Sequence, residues 1–168
     1  IESPAASPRE EQHLSVVEDS AKKHVALRFR YFTASRGAEG LRCASVLRVF
    51  PGPPARFVAM CHRASSIKWF RVDNVTEAAL DAHEPFRPAK ADVVDAFLAE
   101  SLDGFHEDGP AQTFAFFVRE PEARWVARNL MHGMNAEENG DGIRVTVKTT
   151  AVGRVARFVV SLGDAATC

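Results

Sequence analysis

The chain between Val25 and Ala82 is a series of short apolar runs separated by turn-forming residues. The first run, Val25–Thr33, alternates apolar side chains with Arg28 and Arg30. Successive side chains of a strand point to opposite faces, so this run predicts a half-buried strand with a basic outer face. Three further runs are predicted as strands: Leu41–Phe50, Ala55–His62 and Ser66–Val72. A fifth run, Val75–Ala82, is predicted as a strand, with helix as the alternative. Short strands in such close succession predict a small β-barrel.

Helices are predicted before and after this strand region. Apolar side chains recur on one face of Glu11–Lys23, which predicts an N-terminal helix. The preceding residues, 1–10, contain two Ser-Pro pairs and are predicted to be a linker. After a proline-rich break, Asp92–Leu102 is predicted to be a second helix.

The last sixty residues have a different order of elements. A strand is predicted at Gln112–Val118, and Pro121 between two glutamates predicts the start of a helix. Asn139–Gly142 is a turn before a strand at Ile143–Thr149. Ala151–Leu162 is predicted as a helix, with a strand as the alternative. The order βαββα(β), with a closing strand near the C-terminus, predicts a ferredoxin-like module and an α+β protein.

Composition limits the classes of protein that need considering. A chain of 168 residues suits one or two small domains, and 46% hydrophobic residues are enough for a core. No apolar run approaches the ~20 residues of a membrane span. Three cysteines without a CxxC spacing predict reduced thiols in a cytoplasmic protein, with no disulfides, no metal site and no cofactor.

Charge is distributed unevenly along the chain. Residues 24–75 contain nine Lys or Arg against two acids, a net charge of +7. Residues 76–110 contain nine acids against two bases, a net charge of −7. The basic block can attract an anionic ligand, or the two blocks can neutralise each other in space. The sequence leaves both interpretations open.

The sharpest local feature of the basic block is the segment CHRASSIKWFRVDNV, Cys61–Val75. In a strand at Ser66–Val72, Phe70 faces the core while Trp69 and Arg71 share the other face. An indole beside guanidinium groups suits single-stranded nucleic acid, because bases stack on the ring and cations hold the phosphates. The alternative is that Trp69 packs against a neighbouring domain or subunit.

No catalytic motif stands out. The histidines lack the i, i+4 spacing of a helical metal pair, and neither a phosphate loop nor a nucleophile elbow is present. Cys61 and His62 are adjacent on a predicted strand, so their side chains point apart and cannot act as nucleophile and base. The chain is therefore predicted not to be an enzyme.

At these residues the chain resembles the WYL-domain family of bacterial transcriptional regulators. The family's Cys-His and Phe-Arg-Leu-Asp elements align with Cys61-His62 and Phe70-Arg71-Val72-Asp73, whereas Ala55-Arg56-Phe57 replaces its Trp-Tyr-Leu. The later segments FAFFVREPEARWVARNL and GIRVTVKTTAVGRVARFVVSLG resemble the WCX extension that often follows a WYL domain.

The resemblance implies an Sm-like (SH3-type) barrel at residues 11–88, a connecting helix and linker at 89–109, and a WCX dimerisation domain at 110–168. It also implies a homodimer whose promoter DNA is bound by an N-terminal helix-turn-helix domain that this chain lacks. In regulators of the WYL–WCX type that this chain resembles, single-stranded DNA is the effector for activating DNA-damage genes.

Together these inferences predict a sensor module activated by single-stranded DNA. Trp69 is predicted to stack a base, and five residues are predicted to hold phosphates: Arg42, His62, Arg63, Lys68 and Arg71. The weaker candidates are Arg28, Arg30 and Arg128. The alternatives are a sensor of a small nucleotide or second messenger, and a pure dimerisation module without a ligand.

Overall fold

A computed structural model describes residues 7–168 and confirms the predicted α+β class. The chain divides into two compact units, Ile1–Val94 and Asp95–Cys168, called the first and second unit below. The division falls inside the predicted connecting segment 89–109. None of the helices in the described part of the chain has the length and hydrophobicity that crossing a membrane requires.

Helix α1, Pro8–Lys23, begins three residues before the predicted Glu11. The side chain of Ser7 caps it by accepting a hydrogen bond from the backbone N–H of Glu10 at 3.2 Å. Proline in the first turn needs no hydrogen-bond partner for its nitrogen, and so fits there. The predicted linker therefore does not extend through residues 8–10, and its residues 1–6 lie outside the described chain.

The first unit contains one antiparallel sheet of five strands. Its strands are β1 (Ala26–Thr33), β2 (Ala38–Phe50), β3 (Arg56–Cys61), β4 (Ser66–Arg71) and β5 (Val75–Asp81). All four predicted strands and the strand interpretation of the fifth are confirmed. The order across the sheet is β4-β3-β2-β1-β5, so hairpins join neighbouring strands and β5 returns beside β1.

The predicted barrel is not closed. Among the described residues, the edge strands β4 and β5 each pair on one side only, with β3 and β1 respectively. Closure requires the two edges of a sheet to pair with each other. Strand spacing along the sequence indicates how many strands form, but it does not indicate whether the two edge strands, here β4 and β5, pair with each other.

The core of the first unit lies on the face of the sheet covered by α1. Val17 of α1 is fully buried in the same cluster as the aromatic rings of the sheet. Phe29 meets Phe57 and Phe70 edge-on, with ring centroids 5.7 and 5.2 Å apart. Edge-to-face packing of this kind adds to the stabilisation that burial itself provides.

The second unit contains the end of helix α2 (Ala91–Glu100) and a four-stranded antiparallel sheet with two helices. The elements that follow α2 are β6 (Gln112–Arg119), α3 (Glu122–Arg128), β7 (Met134–Asn139), β8 (Gly142–Thr149), α4 (Val152–Ser161) and β9 (Ala166–Thr167). Their chain order is the predicted βαββα(β), and the helix interpretation of the last apolar segment is confirmed. The order across the sheet is β7-β8-β6-β9.

A tight hairpin joins β7 to β8 at the predicted turn. Asn139 pairs with Gly142, which leaves Gly140 and Asp141 as the loop. Gly140 has a φ of +63°, a conformation that costs glycine little and other residues more. The turn residues therefore fix the register of this hairpin.

Gly142 is expected to tolerate no side chain. A Cβ atom at this position would lie 2.0 Å from the carbonyl oxygen of Val118 on β6, a backbone atom that cannot move without breaking the sheet. Gly142→Ala is expected to lower the free energy of unfolding by about 1–3 kcal/mol, the usual cost of overpacking.

Gly153→Ala is the matched control, because it adds the same methyl group inside α4. The nearest atom there is the end of the flexible Glu107 side chain, and alanine favours a helix over glycine. Urea denaturation of both variants should show a loss of stability for Gly142→Ala and none for Gly153→Ala. Equal effects would contradict the close approach at Gly142.

Candidate nucleic-acid interface

The hairpin of β3 and β4 forms one edge of the first sheet and carries most of the predicted site. Across this hairpin Phe57 pairs with Phe70 on the core face, whereas Arg56 pairs with Arg71 on the other face. Trp69, which pairs with Val58, is on the same face as Arg71. The structure thus places the indole and the guanidinium of this segment together and away from the core, as the alternation predicts.

The Trp69 side chain is half-buried. Its ring lies against Phe50 of β2, with centroids 5.2 Å apart and planes inclined by 37°. Phe50 therefore supports the indole, and Trp69 as a residue remains partly exposed on the edge strand. The ring is neither sealed in the core nor fully detached from the protein.

Arg63 and Lys68 are exposed at the same hairpin, Arg63 in its turn and Lys68 on β4. Neither side chain forms an ion pair with any residue of 7–168 that the structure describes. Lys68 pairs with Ala59 and so starts from the core face, opposite to Trp69. Lys68 and Trp69 therefore project from opposite faces of the edge strand, and Arg63 lies in the turn that precedes it.

Arg71 is held by a neighbouring carboxylate. Its Nε lies 3.0 Å from Asp73 Oδ1, and a second nitrogen contacts the other oxygen of the same carboxylate. These hydrogen bonds raise the pKa of Arg71. The guanidinium is consequently fixed in direction, and any phosphate that binds it competes with Asp73.

Arg28 and Arg30 are on the face of the sheet away from the core, and both pair with acids of β5. Arg28 contacts the buried carboxylate of Asp81, and Arg30 Nε lies 3.2 Å from Glu77 Oε2. The backbone N–H of His83 and the Arg28 side chain lower the pKa of Asp81. These two pairs join the basic block to the acidic block, so mutual neutralisation occurs for this part of the charge.

Arg42 is on β2 rather than on the hairpin, and Arg128 belongs to the second unit. Arg42 pairs with Phe29 on the core face, and its guanidinium donates to the carbonyl of Leu41 at 3.1 Å. Arg128 is an exposed residue in the last turn of α3, in the second unit. The predicted site residues are therefore divided between the hairpin, the strands β1 and β2, and the second unit.

His62 is buried, with only 7% of its side chain exposed. Its Nε2 lies 2.8 Å from the hydroxyl of Ser45, and its Nδ1 lies 3.6 Å from Glu84 Oε2. Burial and the positive charge of Arg87 lower the pKa of His62, and Glu84 acts in the opposite direction. The imidazole thus points into the protein rather than towards solvent.

Residues around His62 were not predicted from the sequence. Cys43 on β2 and Glu84, beyond β5, come close to the imidazole. The backbone N–H of Arg87 donates to Ser45 Oγ at 2.8 Å, and its side chain donates to the His62 carbonyl at 3.2 Å. The sequence predicts a break at Glu84–Pro88, because its prolines interrupt any regular pattern, and it does not indicate that this segment approaches His62.

Comparison with known proteins finds similarity among solved structures. No protein-family model and no curated protein matches this chain. The chain is similar to proteasome accessory factor B/C (PafBC) of Arthrobacter aurescens, with a TM-score of 0.46 and 17% sequence identity over 99% of this chain. The matched region spans 25% of the length of the PafBC chain.

Proposed function

We propose that the chain is the sensor region of a WYL-type transcriptional regulator of the DNA-damage response and binds single-stranded DNA at the β3–β4 edge. The observation that carries this proposal is the half-buried indole of Trp69 on an edge strand, with exposed cations within six residues on either side. The sequence resemblance to WYL domains is centred on the same hairpin.

The chemistry of the edge suits an unpaired strand of nucleic acid. A base stacked on an aromatic side chain contributes about 1–3 kcal/mol and needs no particular sequence. Arg63 and Lys68 would hold phosphates, and Arg71 would do so by sharing its donors with Asp73. Duplex DNA keeps its bases paired and stacked, so Trp69 would give it no comparable interaction.

The ion pairs of the sheet reduce the role of the other predicted cations. Arg28 and Arg30 already contact carboxylates, so binding a phosphate there would first separate an existing pair. His62 is buried against Ser45 and is not included among the proposed phosphate contacts. The proposed interface is therefore the hairpin itself, with Arg42 at its periphery.

We also infer the finer layout of the two units. The strand order β4-β3-β2-β1-β5 supports an Sm-like arrangement for the first unit, in the form of an open sheet. The order β7-β8-β6-β9, with a helix after β6 and another after β8, supports a ferredoxin-like arrangement for the second unit.

The proposed sensor acts as a homodimer inside the cell and controls a separate domain that reads promoter DNA. A ligand can shift such a dimer only if it binds one arrangement of the subunits more tightly than another. Two half-sites on DNA have a fixed spacing, so a change of dimer geometry would alter promoter binding.

A length series of fluorescent oligonucleotides tests the proposal. The chain is expected to bind single strands with an affinity that rises with length and levels off at about 8–16 nucleotides, and to bind duplexes of the same length more weakly. Cyclic nucleotides are expected not to compete.

Two other outcomes would each reject the proposal in favour of one alternative. Binding of cyclic nucleotides, with no dependence on strand length, would identify a small-nucleotide sensor. Absence of all nucleic-acid binding together with strong self-association would identify a dimerisation module.

A further inference from the structure

Three potential metal ligands meet in the first unit, on side chains other than the proposed nucleic-acid contacts. They are the Sγ of Cys43 on β2, an imidazole nitrogen of His62 at the end of β3, and a carboxylate oxygen of Glu84 beyond β5. All three atoms lie within 4.8 Å of one another. The sequence separates these residues by about twenty positions each, a spacing that matches no short metal motif.

An unsatisfied nitrogen points into this cluster. The His62 side chain is more than nine-tenths buried, yet its Nδ1 has no hydrogen-bond partner among the described residues. The nearest carboxylate oxygen, Oε2 of Glu84, is 3.6 Å away, which is beyond hydrogen-bond distance. Buried polar atoms are almost always satisfied, so an orphan nitrogen here needs a partner.

The other imidazole nitrogen, Nε2, has the kind of hydrogen-bond partner that histidine ligands of metals usually have. Nε2 lies 2.8 Å from Ser45 Oγ, and Ser45 is fully buried. When Nδ1 binds a cation, Nε2 keeps its proton and donates it to Ser45. Histidine ligands of metals usually make such a second hydrogen bond, which fixes the ring orientation and the tautomer.

The backbone holds two of the three ligands in place. The N–H of His62 donates to the carbonyl of Cys43 at 3.0 Å, so the two residues are joined next to the cluster. Glu84 is the adaptable ligand, because 42% of its side chain is exposed. Donor atoms around a tetrahedral zinc ion at bond lengths of about 2.0–2.3 Å lie about 3.3–3.8 Å apart. The 3.6 Å between Nδ1 and Oε2 falls in that range.

Charge balance favours a divalent cation. A Cys43 thiolate and the Glu84 carboxylate together carry −2, which a dication neutralises. Coordination to a dication deprotonates a thiol, so this charge count applies to the occupied site.

We propose that Cys43, His62 and Glu84 form a binding site for Zn²⁺, with Ser45 orienting the imidazole and a water molecule in the fourth position. The combination of sulfur, nitrogen and oxygen ligands suits this ion. The site is on different side chains from the proposed nucleic-acid contacts, so either proposal can fail without the other.

Cobalt titration tests the site, because tetrahedral Co²⁺ with a thiolate ligand has a charge-transfer band that zinc lacks. The full chain, reduced and treated with a chelator, would carry Cys168→Ser to remove the one exposed thiol. We expect saturation at one Co²⁺ per chain, with a thiolate-to-cobalt band that added Zn²⁺ abolishes. Absence of a saturable band would overturn the proposal.

Variants assign the ligands. Cys43→Ser is expected to abolish the charge-transfer band, and Ser45→Ala is expected to weaken Co²⁺ binding about 10–100-fold. Glu84→Gln changes a partly exposed side chain, and is expected to weaken binding without loss of fold, as checked by circular dichroism. His83→Gln, at the exposed neighbour of Glu84, is the control and should bind as the parent does. A band that survives Cys43→Ser, or equal losses in His83→Gln and Glu84→Gln, would overturn the proposal.

Discussion

Phe29→Ala is expected to lower the free energy of unfolding of the first unit by about 3–5 kcal/mol. Phe29 is 1% exposed and lies at the centre of the aromatic cluster, in edge contact with Tyr31, Phe57 and Phe70. Removing the ring leaves a cavity that β1 cannot fill, because both of its neighbouring strands hold it in register. Such a loss is a large fraction of the stability of a small domain, which is about 5–15 kcal/mol.

Phe32→Ala provides the matched control, since Phe32 is an exposed residue of the same strand. Its loss should cost less than about 1 kcal/mol, as is usual for surface substitutions. Urea denaturation can be followed by the fluorescence of Trp69 in a Trp125→Phe background, because the only other tryptophan of the chain lies in the second unit. Similar losses for Phe29→Ala and Phe32→Ala would show that the aromatic cluster is not the core.

The fold was predictable wherever it depends on neighbours in the sequence. Alternation in Val25–Thr33 identified β1 and its two faces, because side chains of a strand necessarily alternate. Asn139–Gly142 identified the β7–β8 hairpin, because few residues other than glycine adopt a positive φ readily. These signals are local, and tertiary contacts did not override them.

Features that depend on distant residues were not predictable in the same way. The Arg28–Asp81 pair joins residues 53 positions apart, and it forms because β5 returns to pair with β1. The sequence showed a basic block and an acidic block, but it could not show which cations meet which acids. For the same reason the sequence predicted a closed barrel, whereas the edge strands β4 and β5 do not pair with each other.

Within the β3–β4 hairpin, some features of the candidate site were predictable from the sequence and others were not. Trp69 and Arg71 were placed on one face by alternation alone, and the register of β3 with β4 agrees. His62 follows the last residue of β3, where alternation no longer determines direction, and its ring turns inward to Ser45. The residues that surround it come from β2 and from the proline-containing segment after β5. No local pattern in the sequence connects them.

Trp69→Ala is expected to weaken binding of single-stranded DNA by about 5–150-fold, the equivalent of the 1–3 kcal/mol that one stacked base contributes. The remaining affinity should come from Arg63, Lys68 and Arg71. It should fall as salt rises, because phosphate contacts release counterions. Fluorescence anisotropy with one oligonucleotide at two salt concentrations would separate the two contributions. The variant is expected to lose affinity by a similar factor at both salts, while its salt dependence remains that of the parent.

Two further variants distinguish stacking from support of the fold, because Trp69 also packs on Phe50. Trp69→Phe keeps an aromatic face and should retain most of the affinity. Trp125→Ala removes the other tryptophan, which is 56% exposed on the second unit, and should leave binding unchanged. If Trp69→Ala bound as tightly as the parent, or if Trp125→Ala lost as much affinity, the indole at the β4 edge could not be the base-stacking surface. If Trp69→Ala and Trp69→Phe both unfolded at lower temperature and lost affinity equally, the indole would instead support the fold.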